Sequence, residues 1–164
     1  MSAGADASTR PIIRPLRSAD FPEWTALWDA YLRFYGADIP QATTALTWER
    51  LMDPAEPVHG AVAVDPASGR LLGFAHFIEH RSTWVTTRSV YLEDLFVSGE
   101  ARGLGAGRGL IDHVGEHARS IGAPHIHWLT HADNVTAQAL YDRLTGGRSG
   151  FIQYQLTLDE KSRA

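Results

Sequence analysis

The sequence predicts a mixed α/β fold in one domain, with antiparallel strands early and a parallel crossover late. Three observations predict it. Apolar, β-branched stretches alternate along the chain with stretches at helical spacing. Turn chemistry at Asp65-Pro66-Ala67-Ser68-Gly69 separates two strand-like runs as a hairpin would. A glycine-rich bend, Arg102-Gly103-Leu104-Gly105-Ala106-Gly107, joins a strand-like stretch directly to a helix-like one.

Taken in order, 1–10 reads as a loose tail and Ile12 to Leu16 as a short strand. Asp20, followed by Pro22 and Glu23, has the pattern of a capping box. The helix it opens carries Trp24, Leu27, Trp28, Tyr31, Leu32 and Tyr35 on a broad apolar face and stops near Gly36. A second helix runs from Thr43 or Thr44 to Met52, ended by Asp53-Pro54. Val58 to Val64 and Leu71 to Ile78 form the hairpin, and Thr83 to Val97 is a long strand region. Gly107 to Ile121 is helical, with Leu110, Ile111, Val114, Ala118 and Ile121 on one side, until Gly122-Ala123-Pro124 breaks it. His125 to Thr130 is a strand, Asn134 to Leu144 a helix with an Asn cap, and Phe151 to Leu158 an alternating final strand. No linker divides the chain, so a single domain is expected over 11–159, with a second tail at 160–164.

Composition narrows the function classes. The chain has 164 residues, 44% of them hydrophobic, enough for a substantial core. Net charge is −4 with no block of like charge, so no nucleic-acid arm is expected. The absence of cysteine removes disulfides, thiolate metal sites and a cysteine nucleophile. Met1 to Arg10 has no apolar core of a signal peptide, and no apolar run reaches membrane-spanning length, so a cytoplasmic protein without a membrane partner is expected.

The glycine bend carries the first chemical inference. Glycines at alternate positions let the backbone turn tightly and approach a ligand closely. The helix that follows presents unpaired N–H groups that attract phosphate oxygens. Arg102 adds a fixed positive charge suited to phosphate. A pyrophosphate-bearing cofactor is therefore expected. Two familiar phosphate loops do not fit. A P-loop ends in Gly-Lys-Ser/Thr, whereas Gly107 precedes Arg108 and Gly109. A dinucleotide fingerprint from Gly103 or Gly105 would need its third glycine at Arg108 or Leu110.

Val90-Tyr91-Leu92-Glu93-Asp94-Leu95-Phe96-Val97 is apolar on both faces apart from its two acids, as a central, covered strand is. Strict alternation would point Glu93 and Asp94 to opposite faces. A carboxylate buried there needs a hydrogen bond, a countercharge or an open cavity. Glu93 is expected to be buried and to work beside the reacting groups, and Asp94 to be structural or substrate-facing.

The spacing R-x-x-G-x-G after a strand resembles the acetyl-CoA signature of the GNAT superfamily of N-acetyltransferases. Asn134-Val135-Thr136-Ala137-Gln138-Ala139-Leu140-Tyr141, after the next strand, matches that superfamily's second motif. Tyr91 to Val97 looks like the corresponding strand of its diamine/polyamine and histone/polyamine branch. The resemblance covers about Ile12 to Leu158. It implies a mostly antiparallel mixed sheet flanked by helices, with a parallel pair splayed at the acetyl-CoA site. It further implies direct transfer in a ternary complex from acetyl-CoA to a primary amine. Glu93 would help deprotonate the amine, and the backbone of Leu95, Phe96 and Val97 would hold the thioester carbonyl and pantetheine. Arg102, Gly103, Leu104, Gly105, Ala106, Gly107 and Arg108 would cradle the pyrophosphate. Asn134 would bind the pantetheine or phosphate region, Ala137 would leave room for the arm, and Tyr141 would protonate the thiolate. Tyr31, Tyr35, Glu93 and Asp94 are the candidates for the acceptor side. Family habit implies a homodimer, with Phe151 to Leu158 exchanged or paired across it.

The acceptor stays open between a small-molecule amine (polyamine, diamine or amino acid) and a protein lysine or N-terminus. A non-catalytic acyl-CoA-binding module is the rival of another class. His113-Val114-Gly115-Glu116-His117 also spells a zinc-hydrolase pattern, H-x-x-E-H. Gly115 weakens that helix and no third ligand is specified, so no metal is expected. His125 and His127 share a strand face, which partly exposed strand positions explain.

Overall fold

The computed structural model describes residues 10–158. The chain forms two compact units, one ending at Leu129 and one beginning at Thr130. The tails expected at 1–10 and 160–164 lie, apart from Arg10, outside the described residues.

The first unit is a five-stranded sheet in chain order: β1 (Ile12–Pro15), β2 (Val58–Val64), β3 (Leu71–Arg81), β4 (Arg88–Val97) and β5 (Ile126–His127). The first three pairings are antiparallel, and β4 pairs β5 in parallel. This is the predicted α/β GNAT fold. The helices of this unit are α1 (Phe21–Tyr35), α2 (Gln41–Met52) and α3 (Ala106–Ser120). β2 has the span read from the sequence. β5 is shorter than expected, and β4 starts at Arg88 rather than Thr83.

Two-residue periodicity divides the sheet's side chains between its faces. Val62, Val64 and Phe74 pack with Trp24 and Trp28 of α1 and Leu51 of α2 in one buried cluster. Trp24 and Trp28 stack with centroids 5.8 Å apart. The alternate residues Ala61, Ala63, Ala75 and Phe77 are also buried, and α3 buries Leu110, Ile111, Val114 and Ala118. Small alanines on the α3 side let the helix lie close to the sheet.

The start of α1 departs from expectation. Asp20 makes no side-chain cap. Its carboxylate takes a bidentate pair from Arg14, at 2.7 and 2.8 Å, and accepts the Arg17 backbone N–H at 2.8 Å. Glu23 accepts the Leu71 backbone N–H at 2.9 Å, tying α1 to β3. Asp20 thus closes a capping box one turn early, on the 3-10 turn Ser18–Asp20 that precedes α1, and its charged guanidinium partner Arg14 is the strongest of its contacts.

The second unit holds α4 (Val135–Thr145), capped as predicted: Asn134 Oδ1 accepts the Ala137 N–H at 3.3 Å. The expected strand from Phe151 to Leu158 is not formed. Phe151, Ile152, Tyr154, Leu156 and Leu158 are all exposed. Alternation favours an extended chain, but a strand also needs a partner to pair with, and 151–158 form no ladder among the described residues. Among the described residues, no helix is long and apolar enough to cross a membrane.

Candidate active site

The central strand β4 is interrupted where its acids lie. His76 pairs with Asp94 and Phe77 pairs with Leu92, so Glu93 has no partner on β3. An extra residue of this kind is a β-bulge, which bends the strand and re-aims side chains. Strict alternation therefore does not carry through the acids, and Glu93 is exposed rather than buried. Its carboxyl is still partly screened from water, and that desolvation, with the nearby Asp94 charge, raises its pKa above the ordinary glutamate value.

Asp94 is fastened on both oxygens. Tyr31 of α1 donates its hydroxyl to Oδ1 at 2.6 Å, and His76 Nδ1 lies 2.9 Å from Oδ2. On the far side of the ring, Trp24 Nε1 donates to His76 Nε2 at 2.9 Å. An indole N–H is a donor only, so His76 Nε2 is the acceptor and Nδ1 carries the hydrogen given to Asp94. Burial and the Asp94 charge push the Tyr31 phenol far above its usual range, which keeps it a donor. Tyr35 packs edge-on against Tyr31 at 4.9 Å. Sequence reasoning singled out Tyr31 and Asp94 but missed His76. One signal was present: a histidine in an otherwise apolar strand run, Phe74-Ala75-His76-Phe77, must find a polar partner when buried.

Past the bulge, Leu95, Phe96 and Val97 pair with Ala75, Phe74 and Gly73 on one side. On the other side, pairing with β5 ends at Tyr91 and His127, while β4 runs on to Val97. The parallel pair therefore parts within the stretch that holds the acids.

The glycine bend leads from a short 3-10 turn at Gly99–Ala101 into α3. Gly103 and Gly105 have φ of +82° and +85°, a left-handed backbone that side chains rarely adopt. Gly105 is the N-cap of α3, no side chain caps the helix, and its first turn holds no acid. Arg102 is exposed, and Arg108 makes only a surface pair with Asp112 at 3.4 Å. An uncapped, acid-free helix start flanked by arginines fits a diphosphate. Asn134, Ala137 and Tyr141 lie in the second unit, with Ala137 and Tyr141 one turn apart on α4.

A sheet whose parallel strands part beside a glycine-rich helix start is the arrangement that the sequence resemblance implied. The chain belongs to the acetyltransferase (GNAT) family, whose model matches residues 24–146. A D-amino-acid N-acetyltransferase of Saccharomyces cerevisiae is 34% identical over 135 residues, 82% of this chain and 84% of that protein. An uncharacterized N-acetyltransferase of Bacillus subtilis is 28% identical over 152 residues, 91% of this chain and 99% of that one. Among solved structures, a probable acetyltransferase superposes with a TM-score of 0.80 at 23% identity, covering 91% of this chain and 99% of its own. The AAC(6′)-Iy structure in complex with the bisubstrate analogue CoA-S-monomethyl-acetylneamine gives a TM-score of 0.77 at 18% identity, covering 92% of this chain and 100% of its own.

Proposed function

We propose that this enzyme transfers an acetyl group from acetyl-CoA to the primary amine of a small molecule, with free amino acids as the favoured acceptor class. The supporting observation is the bulge of β4, which sets an accessible carboxylate with a raised pKa beside a strand edge that has left its parallel neighbour. The amino-acid class is supported by the relative from Saccharomyces cerevisiae, which is a D-amino-acid N-acetyltransferase. The diamine/polyamine resemblance of Tyr91 to Val97 supports the second acceptor class.

Acetyl-CoA supplies the acyl group as a thioester. Arg102 to Arg108 hold its diphosphate at the start of α3, and Asn134 and Ala137 accommodate the pantetheine arm. Backbone N–H groups of Leu95 to Val97 stabilise charge on the carbonyl oxygen. An ammonium ion has no lone pair, so Glu93 takes its proton, directly or through one water. Tyr141 gives a proton to the departing thiolate, since a phenol matches a thiol in basicity to within about two pKa units. Tyr31 and Tyr35 border the acceptor, and Asp94 fixes that wall. The absence of cysteine agrees with direct transfer and no acyl-enzyme.

The deciding experiment is thiol release from acetyl-CoA over a panel of D- and L-amino acids, diamines, polyamines, lysine-containing peptides and peptide N-termini. Release with free amino acids supports the reading. Release with peptides alone would replace it with a protein acetyltransferase. Calorimetric binding of coenzyme A with no release from any amine would leave an acyl-CoA-binding module.

A further inference from the structure

The α3 histidine of the H-x-x-E-H segment has partners that the sequence did not foretell. His117 meets His59 of β2 and Glu79 of β3, and their ligand atoms all lie within 4.8 Å of one another. Glu79 Oε1 is 2.8 Å from His117 Nε2 and 3.0 Å from His59 Nε2. The same carboxylate's Oε2 is held by Arg88 at 3.1 Å, which leaves Oε1 to face the two imidazoles. His113 and Glu116, the other members of the motif, do not belong to the cluster.

The sheet builds this arrangement by register. His59 pairs with Phe77 across the β2–β3 ladder, and Glu79 stands two residues beyond Phe77 on the same face. Phe77 stacks on His59 at 5.2 Å and meets His117 edge-on at 5.0 Å, which fixes both rings. His117 lies about 16 Å along α3 from the glycine bend at the usual helical rise. The cluster is thus separate from the proposed diphosphate cradle at the start of α3.

Hydrogen bonding leaves it incomplete. His59 Nε2 is buried and makes no hydrogen bond, with Glu79 Oε1 3.0 Å away as an ion-pair contact. A buried ring nitrogen without a partner costs free energy that one additional ligand would remove. We propose that His59 Nε2, His117 Nε2 and Glu79 Oε1 form a binding site for one divalent transition-metal ion of the zinc class, with water in the fourth position. Two imidazoles and one carboxylate oxygen are the donor set zinc accepts, with an open coordination position. Tetrahedral ligands about 2.0–2.1 Å from the ion stand roughly 3.3–3.4 Å apart, so the two contacts to Oε1 need to open by only a few tenths of an ångström. The positive charge of Arg88 opposes the ion and limits affinity. Bound there, the ion clamps the later turns of α3 to β2 and β3.

The test uses the full chain after dialysis against a chelator, titrated with Co²⁺ and Zn²⁺ separately. One equivalent of Co²⁺ should give the strong visible absorption of a tetrahedral site, displaced by Zn²⁺, and Zn²⁺ should raise the thermal midpoint. His117→Ala and Glu79→Gln should each lose the band and weaken binding by about 100-fold. His113→Ala and the double variant His125→Ala/His127→Ala should keep both. Coenzyme A binding, which uses a distant part of the fold, reports whether each variant is folded. Absence of a one-equivalent band in the unaltered chain would overturn the proposal. So would a band that survives in folded His117→Ala, or one lost when His125 and His127 are replaced.

Discussion

His76 and Asp94 face each other across the β3–β4 ladder, joined at 2.9 Å, at the last pair before the register slips at Glu93. The bond anchors one side of the bulge, and Trp24 and Tyr31 hold its two ends to α1. Asp94→Asn turns an amide donor toward one of two donors already in place. It should cost about 1–3 kcal/mol of stability, as an unsatisfied buried group does, measured by urea denaturation. Tyr31→Phe removes one of those donors and should cost less. If the network sets the pose of Glu93, both variants lower kcat more than they raise KM for the amine. An unchanged kcat in a folded Asp94→Asn enzyme would make the network purely structural.

Glu93 should report its own environment through pH. Its folded pKa is raised, chiefly by desolvation and then by Asp94. Folding therefore favours the protonated form, and ionised Glu93 lowers stability as pH rises past the ordinary glutamate value. Glu93→Gln should raise the thermal midpoint slightly near pH 7–8, with the difference vanishing in acid below about pH 4. The same variant should lose about 100-fold or more in turnover near neutral pH, where the amine is protonated. Recovery at high pH marks a proton acceptor. An equal loss at every pH points to a packing role.

Local pattern made much of this molecule legible, and the failures share a cause. The aromatic face from Trp24 to Tyr35 and the hairpin around Asp65 depend on neighbours in sequence, and both formed as read. The bulge was not read because the strand is apolar on both faces apart from its two adjacent acids, so no two-residue pattern marks a slip there; the slip is set by pairing with β3. The strand expected from Phe151 to Leu158 needed an edge that no local pattern supplies. The His59–Glu79–His117 cluster joins three elements, and only their register brings it together.

Asp20 gives a direct comparison of local and tertiary demand. Asparagine caps a helix about as well as aspartate, so a capping Asp20 would tolerate Asp20→Asn. The structure instead commits the carboxylate to Arg14 and the Arg17 N–H. Asp20→Asn should therefore cost about 2–3 kcal/mol, as loss of a charge-assisted bond does. The Asp20 pKa is lowered, first by the Arg14 hydrogen bond, so this stability is present above the ordinary aspartate value and is lost as pH falls below it. Denaturation at pH 7 and pH 3 should show the gap between variant and parent narrowing in acid. A neutral substitution at pH 7 would restore the capping interpretation.

The glycine bend separates backbone strain from ligand approach. No atom lies within 4 Å of a Cβ added at Gly103 or Gly105, so only the positive φ opposes a side chain. Gly105→Ala should cost about 1–2 kcal/mol, and Gly105→Asn less, because asparagine tolerates the left-handed region. If the diphosphate approaches this backbone closely, both variants weaken coenzyme A binding by about tenfold or more, whatever their stability. Wild-type affinity in Gly105→Asn, measured by calorimetry, would show that conformation alone matters there.

Tyr141 tests the second half of the chemistry. It stands on α4 one turn after Ala137, on a helix fixed by the Asn134 cap. A general acid acts on the leaving group and adds little to ground-state binding, whereas a packing residue affects both. Tyr141→Phe removes one oxygen and keeps the ring, so its effect isolates the hydroxyl. Turnover should fall about 100-fold, with coenzyme A affinity and thermal midpoint close to the parent. Unchanged turnover in Tyr141→Phe would remove the residue from the mechanism, and the thiolate would then depart unprotonated or take its proton from water.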